Sequence, residues 1–547
     1  GLYQIGLSGG EASLLYKFET SISGYQWSPD GKTLGFIATK PEVKEKAALP
    51  YSPVLYEQNL SVQRIYMVEP GQGEARELTV DGHFSALEWS PDGKKLICAS
   101  APTSLVDDSY MSVTLSIVDV ATMKVLSTID HQGKKGDARW SPDGTQIAFI
   151  AASDLNDPTA GSLFVAPATG GKPTILQKDW EGMFEQIIWQ DPGQVHFIGS
   201  TGVESVYGII KADAKSKPVF QSIEKGFAIS HFELAANGRG LFLADSYNHP
   251  TELFIEGAGQ SAIKRMTDSN PVLKEIEFAK QEVVRYKAKD GLEIEGILIR
   301  PLHEESGKKY PLITIVHGGP EAHFNNGWLT GYSNPGQTGA AEGYAVFYPN
   351  YRGSNGRGVK FSLTSQGDPA GKEFDDVVDG VDYLIATGLV DAAKVGVTGG
   401  SYGGYATGWL STRYSDRFAA GVMFVGISNN VSKWGTTDIP KEEYLVHARK
   451  WVYEDYDFFL KRSPVYYADQ CKTPLLIMHG EDDPRVHPGQ SMELYRHIKS
   501  RTTTPVELVF YPGEGHGNAN STARYDYNLR LMSWFDKYLK GIDKGKS

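Results

Sequence analysis

Lys394-Val-Gly-Val-Thr-Gly-Gly-Ser-Tyr-Gly-Gly-Tyr405 is the stretch whose reading decides the fold of the carboxyl-terminal half. Val395 to Thr398 is apolar and β-branched, which predicts a buried strand. Gly399 to Gly404 turns the chain sharply, and from Tyr405 the spacing becomes helical, with Ala406, Trp409 and Leu410 on one face. A strand, a G-x-S-x-G turn and a helix in that order spell a nucleophile elbow. A serine at the tip of so tight a turn needs neighbours without a Cβ, for the backbone angles and for close strand–helix packing. The turn presents the Ser401 hydroxyl above the sheet edge and aims the Tyr402 N–H at whatever that hydroxyl attacks. A bare G-x-S-x-G also occurs in ordinary Gly-rich loops, so the weight falls on the flanking strand and helix.

Outward from the elbow, strands and helices interleave. Pro311 to Val316, Ala345 to Tyr348, Ala419 to Val425, Pro474 to Met478 and Val506 to Phe510 read as strands, and Glu373 to Ala386 and Gln490 to Lys499 as helices. Glu282 to Lys287 and Glu293 to Arg300 alternate apolar and polar residues about Asp290-Gly291, which predicts a hairpin. This rhythm predicts a mostly parallel, doubly wound α/β sheet over residues 269–547.

A serine hydroxyl is a weak nucleophile at neutral pH and needs a base, an orienter for the base and donors for the oxyanion. In such a sheet they are expected at strand ends, in the order Ser, Asp, His. Strand Leu475–Met478 runs into His479-Gly-Glu-Asp-Asp-Pro-Arg-Val-His487, where Asp483 is the Asp candidate and Glu481 and Asp482 are rivals by spacing alone. The base candidate is His516, on a loop just past a strand and flanked by Gly515 and Gly517; His479 reads as a buried strand-end residue and His487 as a weaker candidate. Val316-His-Gly-Gly-Pro320 directly follows a strand, and its glycines let the backbone approach a tetrahedral intermediate. The oxyanion donors are therefore expected to be the N–H groups of Gly319 and Tyr402.

The first half, residues 1–268, repeats itself. Trp27-Ser-Pro-Asp-Gly31 recurs as Trp89–Gly93 and Trp140–Gly144, with weaker copies at Trp189–Gly193 and Phe232–Gly238. In Pro-Asp-Gly the Pro fixes φ, the Asp bonds nearby backbone and the Gly takes positive φ. The preceding Trp is an anchor that packs between neighbouring sheets. Repeats of roughly 45–60 residues with about four strands each predict a β-propeller. Five fairly complete blades are expected between Ile22 and Asp268, with a fragment at Gly1–Phe18; an antiparallel sandwich is the alternative. Pro41 to Gln63 is read as a long insertion between the first two strands of a blade.

The totals narrow the function classes. The 547 residues carry a net charge of −12, and 40% of them are hydrophobic. Mean hydropathy is −0.32 and the pI is near 5.6. This balance argues against nucleic acid or an anionic membrane as partner. A soluble protein of the cytoplasm or periplasm fits, and a homo-oligomer is compatible with it. The two cysteines, Cys98 and Cys471, lie far apart and make no disulfide framework. There is no H-E-x-x-H, phosphate-binding loop or cysteine cluster, so no metal and no cofactor is expected. The sequence starts at Gly1 without an initiator Met, and Leu2 to Ile5 reads as the middle of a repeat; a processed or truncated form of something longer is expected.

The tandem W-S-P-D-G blades are followed by H-G-G-P (317–320), N-Y-R-G-S (350–354), G-G-S-Y-G-G-Y (399–405), H-G-x-x-D-x-R-V (479–486) and G-x-G-H-G (513–517). Together they resemble the prolyl oligopeptidase family of serine peptidases, nearest its acylaminoacyl-peptidase and dipeptidyl-peptidase branches, over almost the whole chain. The resemblance implies a propeller capping an α/β-hydrolase domain and restricting substrates to short peptides cleaved near the amino terminus. It selects Asp483 from its rivals. It also implies that Arg485 hydrogen-bonds the carbonyl before the scissile residue, and that Val486 and Tyr402 line the pocket before the scissile bond. Two departures stand out. The propeller shows no clear acidic pair of the kind dipeptidyl peptidases use for a free amino terminus, which tilts the reading towards tolerance of a blocked terminus. Amino-terminal propeller strands are also missing. An esterase with the same machinery, or a propeller binding protein with a vestigial hydrolase site, are the competing readings.

Overall fold

The computed structural model describes residues 1–41, 50–51, 53–221, 225–235, 237–256 and 263–543. Each Trp-Ser-Pro-Asp-Gly motif forms the turn between the first and second strands of a four-stranded antiparallel sheet. The sheets begin at Ile22–Trp27, His83–Trp89, Lys135–Trp140, Met183–Asp191 and Phe227–Leu234, and a two-stranded sheet, Leu2–Gln4 with Ser13–Tyr16, precedes them. These are the five blades and the fragment expected from the repeats.

The three motif turns share one set of bonds. In the first, the Ser28 hydroxyl donates to Asp30 Oδ1 (2.7 Å), the Lys32 amide donates to the same oxygen (3.2 Å) and the Thr33 amide donates to Ser28 Oγ (2.9 Å). Asp92 and Asp143 are held in the same way by Ser90 and Ser141. Gly31, Gly93 and Gly144 take φ of 69°, 68° and 69°, a region that favours glycine. The tryptophans tie one blade to the next. Trp89 Nε1 donates to Gln26 O (3.2 Å), Trp140 Nε1 to Glu88 O (3.3 Å) and Trp189 Nε1 to Arg139 O (3.1 Å). Every acceptor is the residue just before the preceding blade's anchor. Trp140 is 5% exposed, whereas Trp27, with only the two-stranded fragment before it, is 38% exposed.

One expectation is corrected. The segment Pro41–Gln63 joins the second and third strands of its sheet, Leu34–Thr39 and Gln63–Val68, and not the first two. The strand before the motif, Ile22–Trp27, is itself the first strand. Residues 42–49 and 52 of this segment lie outside the described residues.

The chain divides into two compact units. The first comprises residues 1–178, 184–197 and 208–219, the second 179–183, 198–207 and 220–547. The repeat pattern marks a boundary near residue 268, whereas compactness groups the fifth sheet with the carboxyl-terminal half. Repeat identity follows strand pattern and compactness follows packing, so the two criteria differ. Within the second unit, Asp245 Oδ1 of the fifth sheet accepts the Trp328 amide at 2.7 Å.

The second unit contains an eight-stranded sheet: β1 (Gln281–Lys287), β2 (Glu293–Ile299), β3 (Tyr310–Val316), β4 (Ala345–Asn350), β5 (Val390–Gly400), β6 (Ala420–Phe424), β7 (Leu475–Gly480) and β8 (Val506–Tyr511). The spatial order is β1-β2-β4-β3-β5-β6-β7-β8. The first two pairs are antiparallel and the rest parallel. Apolar strands such as Leu312–Val316 suit a parallel sheet covered on both faces. Helix α1 (Lys372–Ala386), α2 (Tyr402–Thr412), α3 (Gly489–Arg501) and α4 (Ser521–Phe535) accompany it. The one-sided apolar pattern read for α2 understates its burial, since every residue from Tyr402 to Thr412 is buried. Its two threonines turn their hydroxyls back onto the helix, Thr407 donating to Gly403 O (2.9 Å) and Thr412 to Gly408 O (2.8 Å). Cys98 and Cys471 are free, and burial pushes both thiols up to about 12.

The anchor geometry yields a stability contrast. Trp140→Ala removes a buried indole and its inter-blade bond and is expected to cost about 3–5 kcal/mol. Trp27→Ala should cost well under half as much. Urea midpoints of the two variants check this, and equal shifts would contradict the anchoring role.

Candidate active site

The elbow forms because β5 and α2 meet without side chains between them. Ser401 has φ 59° and ψ −120° at the N-terminus of α2. A Cβ on Gly403 would lie 2.0 Å from Val316 O, so only glycine lets the helix start this close to β3. The Ser401 amide donates to Phe424 O (3.1 Å), which ties the tip to β6.

The structure brings Ser401, His516 and Asp483 together from the ends of three strands. His516 Nε2 lies 2.9 Å from Ser401 Oγ, and His516 Nδ1 lies 2.7 Å from Asp483 Oδ2. Asp483 is buried while Glu481 and Asp482 are exposed. Its Oδ1 accepts the amides of Arg485 (2.9 Å) and Val486 (3.1 Å). Burial would raise the Asp483 carboxyl, but hydrogen bonds from His479 and His516 outweigh it and hold the group at about 2. The carboxylate therefore stays ionised at working pH, and its stabilising contribution is lost only as pH falls from the ordinary carboxyl range through about 2.

His479 is fully buried at the end of β7, with Nδ1 2.6 Å from Ser491 Oγ and Nε2 2.7 Å from Val486 O, so it pins the Asp483 loop. The Asp482 amide donates to Glu514 O at 2.9 Å, which joins that loop to the His516 loop. His487 is exposed.

Gly319 and Tyr402 present backbone amides that no acceptor takes among the described residues, and Gly319 has φ 114°. The N-Y-R-G-S segment braces this loop. Ser354 Oγ lies 2.8 Å from His317 Nε2, the Tyr351 hydroxyl donates to His317 O (3.0 Å), and Asn350 bonds both polar backbone groups of Phe324 (2.8 and 3.0 Å). Burial keeps the His317 imidazole down at about 3, and therefore neutral. Arg352 ties the brace to the core through buried Asp376 (2.7 Å) and through Asp290 in the β1–β2 turn (2.8 Å).

The three residues expected to contact substrate are placed differently. The Val486 side chain is 1% exposed and belongs to the same apolar core as Tyr402. Tyr402 is also buried, with its hydroxyl donating to Glu373 Oε1 (2.9 Å). Arg485 is partly exposed, and its Nε donates to Asp438 Oδ1 (2.6 Å).

A charged cluster missed by the sequence reading stands nearby. Glu321 follows the H-G-G-P turn, and His447 Nε2 approaches its carboxylate to 3.1 Å, with the His447 ring 6.4 Å from that of Tyr402. Lys433 is 3% exposed and pairs with Glu443; burial pushes its ammonium down to about 7 against the pull of Glu442, Asp438 and Glu321. Carboxylate and imidazole atoms of Glu321, Glu442 and His447 lie within 4.8 Å of one another. Pro440-Lys-Glu-Glu443 reads as an ordinary acidic helix start, and only the three-dimensional placement reveals the cluster.

Residues 331–541 match the sequence profile of the prolyl oligopeptidase family. The chain is 30% identical over 625 positions to the uncharacterized peptidase YuxL of Bacillus subtilis (strain 168), covering 94% of this chain and 90% of that protein. It is 26% identical to dipeptidyl-peptidase 5 of Porphyromonas gingivalis over 83% of this chain and 66% of that one. The acylamino-acid-releasing enzyme of Sus scrofa is 33% identical over 47% of this chain and 35% of its own length. Among solved structures, the acylaminoacyl peptidase of Pyrococcus horikoshii has a TM-score of 0.79 at 21% identity over 98% of this chain and 84% of that one, a likeness of fold. Among the described residues no helix is long and apolar enough to cross a membrane.

Replacing Arg352 by Ala would leave buried Asp376 without its counter-ion and is expected to destabilise by about 3–5 kcal/mol. Asp290→Ala breaks only partly exposed pairs, with Arg352 and Lys372, and should cost about 1 kcal/mol or less. Denaturant unfolding of the two variants measures the difference, and a mild Arg352→Ala variant would contradict the bracing account.

Proposed function

The chain belongs to the prolyl oligopeptidase family of serine peptidases, and we propose that it cleaves short peptides near their amino terminus through an acyl-enzyme on Ser401. The observation that carries this reading is the unbroken chain Ser401 Oγ–His516 Nε2–His516 Nδ1–Asp483 Oδ2, at 2.9 and 2.7 Å. Ser401 Oγ attacks the scissile carbonyl carbon while its proton passes to His516 Nε2. The carbonyl π pair moves onto oxygen, where the Gly319 and Tyr402 amides receive it; one such donor is worth roughly 3–4 kcal/mol in related sites. The tetrahedral species collapses, the C–N bond breaks, and the leaving amine takes the proton from His516. Water then attacks the ester, with His516 again taking the proton, and Ser401 leaves with it. Asp483 keeps the imidazole in the tautomer this cycle needs and stays ionised throughout.

Arg485 is assigned to the carbonyl preceding the scissile residue. Its Nε is held by Asp438 and its amide by Asp483, so the guanidinium is oriented before substrate arrives. The same charges bear on the substrate terminus. Glu321, Glu442, Glu443 and Asp438 outnumber Lys433, Arg485 and the His447 imidazole taken together, and this local excess of negative charge favours a cationic α-amino group over an acylated one. Release of dipeptides from a free terminus is therefore the favoured mode, which reverses the tilt drawn from the propeller alone. Ester cleavage by the same machinery is a side activity in this reading.

Two outcomes are expected. Ser401→Ala should lower kcat by roughly 10⁴-fold or more, His516→Ala by a similar factor, and the double variant by no more than either alone. A Ser401→Ala variant with over about a tenth of wild-type peptidase activity would overturn the assignment. In a matched panel, a free-terminus dipeptide anilide should exceed an acetylated amino-acid anilide in kcat/KM, and a folded protein should resist digestion. Preference for the acetylated substrate would overturn the terminus assignment, and rapid digestion of the folded protein would overturn the size restriction.

A further inference from the structure

The turn Gly202–Val203 joins the second and third strands of the fourth sheet, Gln194–Thr201 and Glu204–Lys211, and residues 198–207 belong to the second compact unit. The tip of such a turn ordinarily faces water. This one is seated on the α/β sheet. Val203 is fully buried and belongs to the same apolar core as Ile297 and Ile299 of β2 and Tyr348 of β4. The Val203 amide donates to Glu295 Oε2 on β2 (2.9 Å), and the Gly202 amide donates to Gly356 O (2.7 Å). Gly202 has φ 63°, and a Cβ there would lie 2.0 Å from Glu295 Oε2, so the close seat requires glycine. The remaining bonds of the turn run to the loop behind H-G-G-P. Val203 O accepts the Asn326 amide (2.7 Å), and Glu204 Oε1 accepts the Asn326 side-chain amide (3.1 Å). At the near end of that loop Asn355, the neighbour of Gly356, donates its backbone amide to Ala322 O (3.0 Å) and its Nδ2 to Glu321 O (3.0 Å). The Ala322 amide in turn donates to Pro320 O (2.9 Å), directly after Gly319. The turn therefore bears on the loop at two places, directly at Asn326 and through residues 355–356 beside Gly319.

We propose that Val203 and Glu204 are positioning residues for the peptidase reaction: from the fourth sheet they hold the loop of residues 321–328, and through it the Gly319 amide, in register with Ser401. This rests on the Ser401 reading above. A backbone donor serves a developing oxyanion only when it stands in place beforehand, and a misplacement of about 1 Å at a reacting centre costs about a hundredfold in rate. The α/β sheet supplies part of the hold itself, through Asn350 at Phe324 and through Gln281 Nε2, which donates to Asn326 Oδ1 (2.9 Å) and Gly327 O (3.0 Å). Glu204 is braced in its own right, since its Oε2 accepts the Gly226 amide (3.1 Å). The side chains of Glu204 and Asn326 thus meet as a fixed acceptor and a fixed donor. Exchanging the two chemistries keeps every bond: a glutamine at 204 donates to a carboxylate at 326, its own oxygen still accepts the Gly226 amide, and the carboxylate still accepts Gln281. Changing Asn326 alone sets two carboxylates face to face, and they repel.

The experiment measures kcat and KM of the full chain on a dipeptide anilide, with active sites counted by complete fluorophosphonate labelling. Asn326→Asp is expected to lower kcat per labelled site by about tenfold, with the larger share of the loss in kcat and not in KM. The double variant Glu204→Gln/Asn326→Asp should recover to within about threefold of wild type, because the bond is restored with donor and acceptor exchanged. A turn that only fastened one element to another would lower the urea midpoint and leave kcat per labelled site unchanged. Unchanged kcat in Asn326→Asp, or a double variant no better than Asn326→Asp, would overturn the positioning role. If Asn326→Asp does not fold, Val203→Ala decides in its place, since it keeps the backbone bonds of the turn and loosens only its seat in the core. It should lose about threefold or more in kcat per labelled site, and an unchanged kcat would overturn the role. Wild type run alongside separates the two readings. Inactivation by a label on Ser401, together with unchanged kcat in the variants, overturns the role of the turn alone. A wild type that stays active after labelling overturns the Ser401 reading and this one with it.

Discussion

A serine can stand at φ 59° between a strand and a helix only where the neighbouring backbone is free to come within contact of it. That constraint governs this protein's second half. Gly403 gives α2 room to start against Val316 O, and the close approach makes α2 a fully buried helix crossing the centre of the sheet. Burial of the whole helix fixes the direction of the Tyr402 amide and the Ser401 hydroxyl without any contribution from substrate. The strand order β1-β2-β4-β3-β5-β6-β7-β8 then brings β3, β7 and β8 to the same edge as β5. Their loops carry Gly319, Asp483 and His516. Preorganisation of this kind is what makes fixed backbone donors effective at a developing oxyanion.

The charges buried around the elbow follow one rule, in that each is either matched or kept neutral. Arg352 answers Asp376, and the two histidines with two backbone amides answer Asp483. His317 and Glu373 are instead held in their neutral forms by burial. Around Glu321 and Asp438 the carboxylates are likewise engaged, by His447 at 3.1 Å and by Arg485 at 2.6 Å.

Much of the fold was legible because its signals are local. Pro-Asp-Gly turns and alternating strands each occupy a few residues, and their repetition counts the blades. The strand preceding each Trp is less marked, so the sequence pattern alone puts the Pro41–Gln63 segment one strand too early. The elbow, the H-G-G-P turn and the loop histidine read directly, since their glycines and their strand-end positions are local too. Asp483 was not separable from Glu481 and Asp482 by spacing; the family motif chose it, and the structure buries it alone. Glu373, Lys433 and His447 were invisible for a physical reason. A glutamate in the first turn of a helix suits the helix dipole at any surface position. Its burial under Tyr402 depends on residues 29 apart, and no local pattern encodes that.

The central claim is that the Ser401 hydroxyl is the group that takes the acyl fragment. The most direct measurement is reaction of the intact protein with a fluorophosphonate, with mass spectrometry locating the adduct. The account predicts one adduct per chain, on Ser401, formed in step with loss of peptidase activity and absent when His516 is replaced by Ala. Full activity after labelling, or an adduct on any other residue that tracks the loss, would contradict it.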